Sequence, residues 1–409
     1  MQKGFAFIMK KFDLITPEGT RDIILEDCAA RRQVEEKLYN IFKSGGYREV
    51  VTPGLEFFDV FNLNSIYFPQ ESMYKLVDGK GRLMVVRPDS TMPIARVAAT
   101  RLKDQTMPLK LFYSQSVFRM KPAMRGRSDE ILQSGIELIG SYSKREDLEV
   151  LSMAGEVVSS CDHEKFRLEI GDIGFFKELV SRLGTDENTV EEIRHLIEVK
   201  NYPALNDLLD SIDDNEVTNA LKQLPRLFGG EEVFEKAESL ISDRKIHDIL
   251  ESLHSIYNEL GKLGHNGKIS VDLGIVNKLD YYTGVVMKGY LQGFGDNVLS
   301  GGRYDHHIKE FGIDLPATGF AVNVDAVAKV ISQKNGVKLT PPDVIVFGED
   351  GYEMDAIRKA NEFVAEGLVA ENAVFDNVED VMAYAEEKNI SKVVIVSDKI
   401  KTIDMGGQN

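Results

Sequence analysis

The chain has 409 residues, which at about 150 per domain allows two or three domains. Lys and Arg total 49 against 66 Asp and Glu, a formal net charge of −17, and this acidity argues against a general nucleic-acid binder, which needs a cationic surface. A hydrophobic fraction of 43% suffices for real cores, while two distant cysteines, Cys28 and Cys161, exclude a disulfide framework and a cysteine-ligated zinc site.

No apolar run reaches membrane-spanning length. The apolar stretch within Met1 to Met9 is too short for a secretory signal, and no small-residue cleavage site follows it, so the expected location is cytoplasmic. The first long helix is read from Val34, Leu38, Ile41 and Phe42 at helical spacing, with Gly45 and Gly46 as its stop. A strand over 48–52 follows, closed by Pro53 and Gly54. Strands over 73–77 and 82–87 flank the turn 78–81 as a hairpin. A longer strand pair occupies 110–119 and 131–140, with Lys121, Arg125, Gly126 and Arg127 in the loop between. Hairpins after a helix predict an antiparallel α+β sheet rather than a βαβ nucleotide fold.

From about 172 to 264 the pattern is helical, which predicts an insertion. Thr189 to Glu192 reads as a capping box there, and Ile249, Leu250, Leu253, Ile256, Tyr257 and Leu260 as an amphipathic helix. Strand character returns at 271–273, then at 281–287 and 297–304, which flank a Gly-rich turn over 292–296 as antiparallel neighbours. Gly301 and Gly302 leave room for something close to the backbone. A linker over 331–342, ending in Pro341 and Pro342, separates a core of 1–330 from a small α/β domain of 343–409. That domain reads β-α-β-α-β: strands at 343–347, 372–375 and 392–396, a helix bearing Met354, Ile357 and Val364, and another over 378–388.

None of the seven histidines has the spacing of a helical metal motif, and no Walker loop, G-x-G-x-x-G or G-x-S-x-G occurs, so neither a metal nor a cofactor is expected. What remains is a set of polar residues on predicted strands. Gln133 and Glu137 are four apart and share one sheet face, with Gly135 between them leaving space above it. Buried, they need partners: either a structural hydrogen-bond network or a small polar cation such as an amino acid's ammonium. The run from Arg87 through Asp89 and Ser90 to Thr91 ends a strand and opens a helix, with Asp89 or Ser90 at the cap. Tyr281 and Tyr282 are expected on opposite faces, one lining a pocket and one in the core.

Taken together, these motifs resemble those of the histidyl-tRNA synthetases and their paralogues, the regulatory subunits of ATP phosphoribosyltransferase. The resemblance covers about residues 12 to 330, and the remainder more weakly. It is carried by Thr16 to Asp22, by Glu49 to Glu56 as class II motif 1, by Arg87 to Thr91, by Phe118-Arg119 opening motif 2, and by Gln133 to Glu137. It continues in Lys278 to Gly284, Gly301 to Asp305, and Pro316 to Ala321 leading into motif 3. It implies an α+β fold: a class II aminoacyl-tRNA synthetase-like antiparallel sheet flanked by helices, with a helical insertion and a C-terminal domain similar to a shortened anticodon-binding domain.

The departures concern ATP. Lys121 stands where the family has an adenine-contacting glutamate, Asn277 where it has the arginine acting on the α-phosphate, and Ala326 where a motif 3 arginine packs on adenine. Losing one preorganised transition-state stabiliser typically costs about 3–4 kcal/mol, so the resemblance implies lost adenylation chemistry. The positions matching histidine contacts persist: Thr91, Gln133, Glu137, Tyr281 and Tyr282, with Asp89 replacing a glutamate. Arg119 is a candidate carboxylate or phosphate contact. The expected function is a non-catalytic regulatory subunit of ATP phosphoribosyltransferase, required for activity and for feedback inhibition by L-histidine in the first step of histidine biosynthesis. Its implied partners are a short-form catalytic subunit and a second copy of itself, as a dimer within a hetero-oligomer. A working histidyl-tRNA synthetase and a stand-alone synthetase-like sensor remain the alternatives.

Overall fold

The computed structural model describes residues 15–62, 69–120, 128–162, 164–212, 215–276 and 281–406. The N-terminal stretch before Ile15, the basic loop with Lys121, Arg125, Gly126 and Arg127, His163, and Asn277 to Asp280 lie outside the described residues. The chain divides after Val337 into two compact units.

In the larger unit, helix α1 (Leu25–Ser44) buries Ala30, Val34, Leu38 and Phe42 at three- and four-residue spacing. It ends at Gly45, and Gly46 takes φ +83°, a conformation that suits glycine. Strand β1 (Arg48–Glu49) is shorter than the expected 48–52. A three-stranded sheet follows, built from β2 (Leu55–Phe57), β3 (Lys75–Val77) and β4 (Leu83–Val86) in the order β2-β4-β3. Its hairpin turn is tied by Asp78, whose Oδ1 accepts from the backbone N–H groups of Lys80 and Arg82, both at 2.9 Å.

Helix α2 (Thr91–Thr100) leads to the long antiparallel pair β5 (Leu109–Phe118) and β6 (Glu130–Ile139). Then come α3 (Lys144–Cys161), β7 (Phe166–Asp172) and a helical block of α4 (Ile173–Ser181), α5 (Glu187–Glu198), α6 (Tyr202–Ile212), α7 (Glu216–Gln223), α8 (Glu232–Leu240) and α9 (Arg244–Leu260). The two-residue strand β8 (Phe228–Gly229) interrupts the block. The expected capping box at Thr189 is not there. Helix α5 starts earlier, because Asp186 accepts from the backbone of Asn188 and Thr189 and places Thr189 inside the first turn. A capping box does occur at Asn215 and Thr218, opening α7.

Strands β9 (Ile269–Asp272), β10 (Val285–Leu291), β11 (Leu299–Arg303) and β12 (Ala317–Asn323) complete a nine-stranded sheet, and α10 (Val324–Asn335) closes the unit. The order is β1-β5-β6-β12-β11-β10-β7-β9-β8. The expected antiparallel pattern holds through its centre, but β1 joins β5, and β9 joins β7, in parallel. One face carries the main core: Phe112, Ile136, Leu138, Phe320 and Val322 lie under side chains from α1, α3 and α10. The other face is covered at one end by Ile94, Ala95 and Ala98 of α2. The room expected beside Gly301 is filled by the chain itself, since a Cβ there would meet the backbone of Gly319 and Phe320.

Because α10 runs to Asn335, the first residues of the expected 331–342 linker are helical. The smaller unit has β13 (Val344–Gly348), α11 (Glu353–Ala365), β14 (Ala370–Asn372), α12 (Val378–Glu387), β15 (Lys392–Val396) and β16 (Ile400–Asp404), ordered β14-β13-β15-β16. Its second strand lies earlier than the expected 372–375. The edge strand β16, antiparallel to β15, is an addition to the expected pattern. Alternate residues of β13 and β15 pack under α11 on one face and α12 on the other. Helix α11 turns small residues, Ala356 and Ala360, to the sheet, and leaves the expected Met354, Ile357 and Val364 exposed.

Phe42 is fully buried in the larger unit, with ring centroids 5.8 Å from Phe112 and 6.0 Å from Phe320. Phe42→Ala is expected to cost about 3–5 kcal/mol of stability, read from chemical denaturation; a loss under about 1 kcal/mol would contradict this packing.

Candidate functional site

The register of β6, β12 and β11 builds the floor of a cleft. Glu137 lies opposite Gly319, which lies opposite Gly302. A Cβ at 319 would strike the Glu137 carboxylate, and one at 302 would strike the Tyr282 ring. These two glycines leave the space that those side chains fill. Gly135, one register step along, has no open space above it, because the Tyr113 hydroxyl and the β12 backbone occupy that position. The expectation of a void there is therefore corrected.

Above the floor is a cavity of about 420 Å³, within the range of small-molecule sites. Asp89, Thr91, Arg119, Gln133, Glu137, Tyr281 and Tyr282, the seven residues singled out from the sequence, all line it. Asp89 stands where β4 gives way to α2, and its Oδ1 caps the helix by accepting from the backbone of Thr91 at 2.7 Å and Met92 at 3.2 Å. Its other oxygen faces Arg119 Nη2 at 3.4 Å. Arg119 Nε donates to the carbonyl of Pro88 at 2.6 Å, which fixes the guanidinium beside Asp89. Arg87 turns the other way and is structural, since its Nη1 donates to the Thr52 carbonyl at 2.7 Å and to Gln115 Oε1 at 2.8 Å.

Glu137 is the deepest charge-bearing group. Thr91 Oγ1 donates to its Oε1 at 2.9 Å, and the Tyr304 hydroxyl donates to its Oε2. Among the described residues no lysine, arginine or histidine forms an ion pair with it. Burial pushes its carboxyl up to about 8, and Asp89 adds to the rise, while the two hydroxyl donors oppose it. Asp89 is also raised by burial, with Arg119 opposing. Gln133 Oε1 is buried without a hydrogen-bond partner among the described residues.

The expectation that one tyrosine lines the pocket while its neighbour joins the core is corrected: both Tyr281 and Tyr282 line the cavity. They precede β10, so strand alternation does not govern them, and their rings meet edge to face at 4.6 Å. Each also packs on a core cluster. His307 sits behind, with ring centroids 4.7 Å from Tyr281 and 5.0 Å from Tyr304, and burial lowers it to about 3, so it is neutral. Tyr304 lies within the Gly301 to Asp305 motif but has no role assignable from the sequence; its place just past β11 is the one available signal. Glu198 from α5 also borders the cavity, and nothing local marks it.

Two buried carboxyls, an arginine, an amide oxygen and tyrosine rings form a complementary surface for a small zwitterion with a protonated amine. Of the three positions that depart from the family's ATP contacts, Lys121 and Asn277 lie outside the described residues. Ala326 is buried in the first turn of α10 and borders a second cavity of about 430 Å³, together with Arg31, Glu130 and Asp325. Among the described residues, no group of three or more His, Cys, Asp or Glu side chains could hold a metal ion. Nor, among these residues, is any helix long and apolar enough to cross a membrane.

A family model described as histidyl-tRNA synthetase matches residues 19–327, and this defines the class of the larger unit. Proteins named ATP phosphoribosyltransferase regulatory subunit are similar over nearly the whole length. That of Clostridium kluyveri is 40% identical over 383 residues, covering 91% of this chain and 97% of its own. That of Clostridium acetobutylicum is 40% identical over 392 residues, covering 95% and 96%. A solved Bacillus halodurans structure, described as an ATP phosphoribosyltransferase regulatory subunit/histidyl-tRNA synthetase, superposes with a TM-score of 0.83 at 29% identity, covering 94% of this chain and 98% of that one. The chain belongs to the family of ATP phosphoribosyltransferase regulatory subunits, on a histidyl-tRNA synthetase-like class II fold.

Glu137 makes a test of the site's electrostatics. A carboxyl raised from 4.5 to about 8 on folding contributes stability that is present below its unfolded value and lost as pH rises through 8. Glu137→Gln cannot ionise, so the variant should gain on the wild type in thermal unfolding between pH 6 and pH 9. A pH-independent difference between the two proteins would contradict the buried, unpaired state of this group.

Proposed function

We propose that this chain is the non-catalytic regulatory subunit of an ATP phosphoribosyltransferase complex, and that it binds L-histidine in the cavity over Glu137. The observation that carries the ligand assignment is Glu137 itself, a buried carboxyl held by two hydroxyl donors and left without a cation among the described residues. A cationic ligand supplies what the fold omits. Glu137 and Asp89 take the ammonium group, with Gln133 at the same end. Thr91 orients Glu137, and Tyr281 and Tyr282 face the imidazole ring. Arg119 takes the carboxylate.

The partner is a short-form catalytic chain, and this chain self-associates as a dimer. Support for the dimer comes from Val51, Leu55 and Phe57, exposed apolar residues in and beside the segment resembling class II motif 1. Its own adenylation chemistry is lost, in keeping with Lys121, Asn277 and Ala326, and it needs no cofactor. The C-terminal unit, Lys338–Asn409, takes the place of a shortened anticodon-binding domain, and nucleic acid is not a partner. Histidine regulates by binding one quaternary state better than another, since only that difference, typically about 1–3 kcal/mol, shifts the equilibrium.

Glu137→Gln should weaken histidine binding by about 1.5–3 kcal/mol in calorimetry; unchanged affinity would reject this cavity as the site. Histidine-dependent ATP–pyrophosphate exchange should be absent from the purified chain, and ordinary turnover would instead establish a synthetase. Co-expression with the short catalytic chain of the same organism should yield one complex with an even number of copies of this chain. A monomer that ignores the catalytic chain would overturn the assignment.

A further inference from the structure

Arg303 and Tyr304 are neighbours in sequence at the end of β11, and both serve the cavity's surroundings. The Tyr304 hydroxyl holds Glu137 at the floor. Arg303 is not among the cavity's lining residues and sits among three carboxylates. Its Nε donates to Asp147 at 3.0 Å, its Nη2 to Glu146 at 3.0 Å, and its Nη1 to Asp305 at 3.2 Å. Glu146 and Asp147 stand in the first turn of α3 and are themselves buried. Burial pushes Glu146 up to about 7, against the opposing effect of Arg303.

The cluster reaches the tyrosines through Thr283. The Thr283 hydroxyl donates to Asp305 Oδ2 at 2.8 Å, and the Thr283 amide donates to the Arg303 carbonyl at 2.8 Å. One residue earlier, Lys177 Nζ of α4 donates to the Tyr282 carbonyl at 2.8 Å. Gly284 passes against the Arg303 stem, where a Cβ would lie 3.3 Å from Cδ. Tyr281 and Tyr282 lie outside any strand, and these contacts hold the backbone beside them while their rings pack on the core clusters.

We propose that Arg303 is a positioning residue for the ligand cavity: through Asp305 and Thr283 it braces the segment that carries Tyr281 and Tyr282, and through Glu146 and Asp147 it anchors that segment to α3. It touches no ligand. The proposal rests on the histidine reading only for the choice of probe.

Replacing Arg303 would strand three carboxylates and risk unfolding, so the test cuts the arm that reaches the tyrosines. Thr283→Val and Asp305→Ala should each weaken histidine binding about tenfold, with Thr283→Ser restoring it. The double variant should bind no worse than the poorer single, because both changes break one arm. In the free protein, Thr283→Val should speed amide hydrogen exchange over 281–286. Wild-type affinity in a folded Thr283→Val protein, losses that multiply in the double variant, or unchanged exchange would each overturn the brace. Exchange needs no ligand. If histidine fails to bind the wild-type chain, the ligand reading falls by itself, and the exchange result still decides the brace.

Discussion

A carboxyl group shut inside a sheet, held only by hydroxyls, is the constraint around which this site is arranged. Glu137 is 2% exposed, and its two partners come from far apart, Thr91 at the start of α2 and Tyr304 beyond the end of β11. Burying a charge without a counter-charge is costly, and the group responds by holding its proton. That state is tolerable only while the space above stays free of competing side chains. Gly319 leaves the room that the Glu137 carboxyl itself occupies, and Gly302 the room for the Tyr282 ring. The helix cap at Asp89, the guanidinium of Arg119 and the tyrosine pair then complete a polar surface around that carboxyl.

Much of this was legible in the chain. The 34–38–42 spacing gave α1 because one apolar stripe suffices to bury a helix on a sheet. The alternation in 110–119 and 131–140 gave the central pair, and with it the shared face of Gln133 and Glu137. All seven residues singled out from the sequence line one cavity: strand alternation pointed to Gln133 and Glu137 and a helix start to Asp89 and Thr91, while Arg119 and the roles of Tyr281 and Tyr282 rested on the family resemblance. The rest depends on contacts distant in sequence. Tyr304 meets Glu137 across 167 positions, and Glu198 reaches the rim from a helix whose pattern speaks only of its own core. Thr189 and Asp186 both suit a cap, and it is Asp186 that accepts from the first backbone N–H groups of α5. In α11 the larger apolar residues suggested the inner face, but close approach to the sheet selected Ala356 and Ala360.

The two cavities of the larger unit share strands β6 and β12. Gln133 and Ala321 face the first cavity, while Ile131 and Asn323 face the second. Such adjacency is what an enzyme joining two substrates requires. In the second cavity, Asp325 is already engaged, accepting from the Leu132 amide at 2.7 Å and facing Arg31 at 3.5 Å. Ala326 beside it offers only a methyl group. The second cavity thus keeps an open volume of about 430 Å³, with Asp325 held in an internal pair at its wall.

The parallel pairing of β7 with β9 carries a structural corollary. Parallel neighbours cannot be joined by a tight turn and need a crossover between them. Here that crossover has grown into the entire run of helices from α4 to α9, which departs at Asp172 and returns at Ile269 through adjacent strands. Its two ends are therefore stitched together whatever lies between. This excursion and the ligand site are nonetheless coupled at two points, since Lys177 of α4 holds the Tyr282 carbonyl and Glu198 of α5 borders the cavity, so remodelling the helices would reach the pocket as well as their own core.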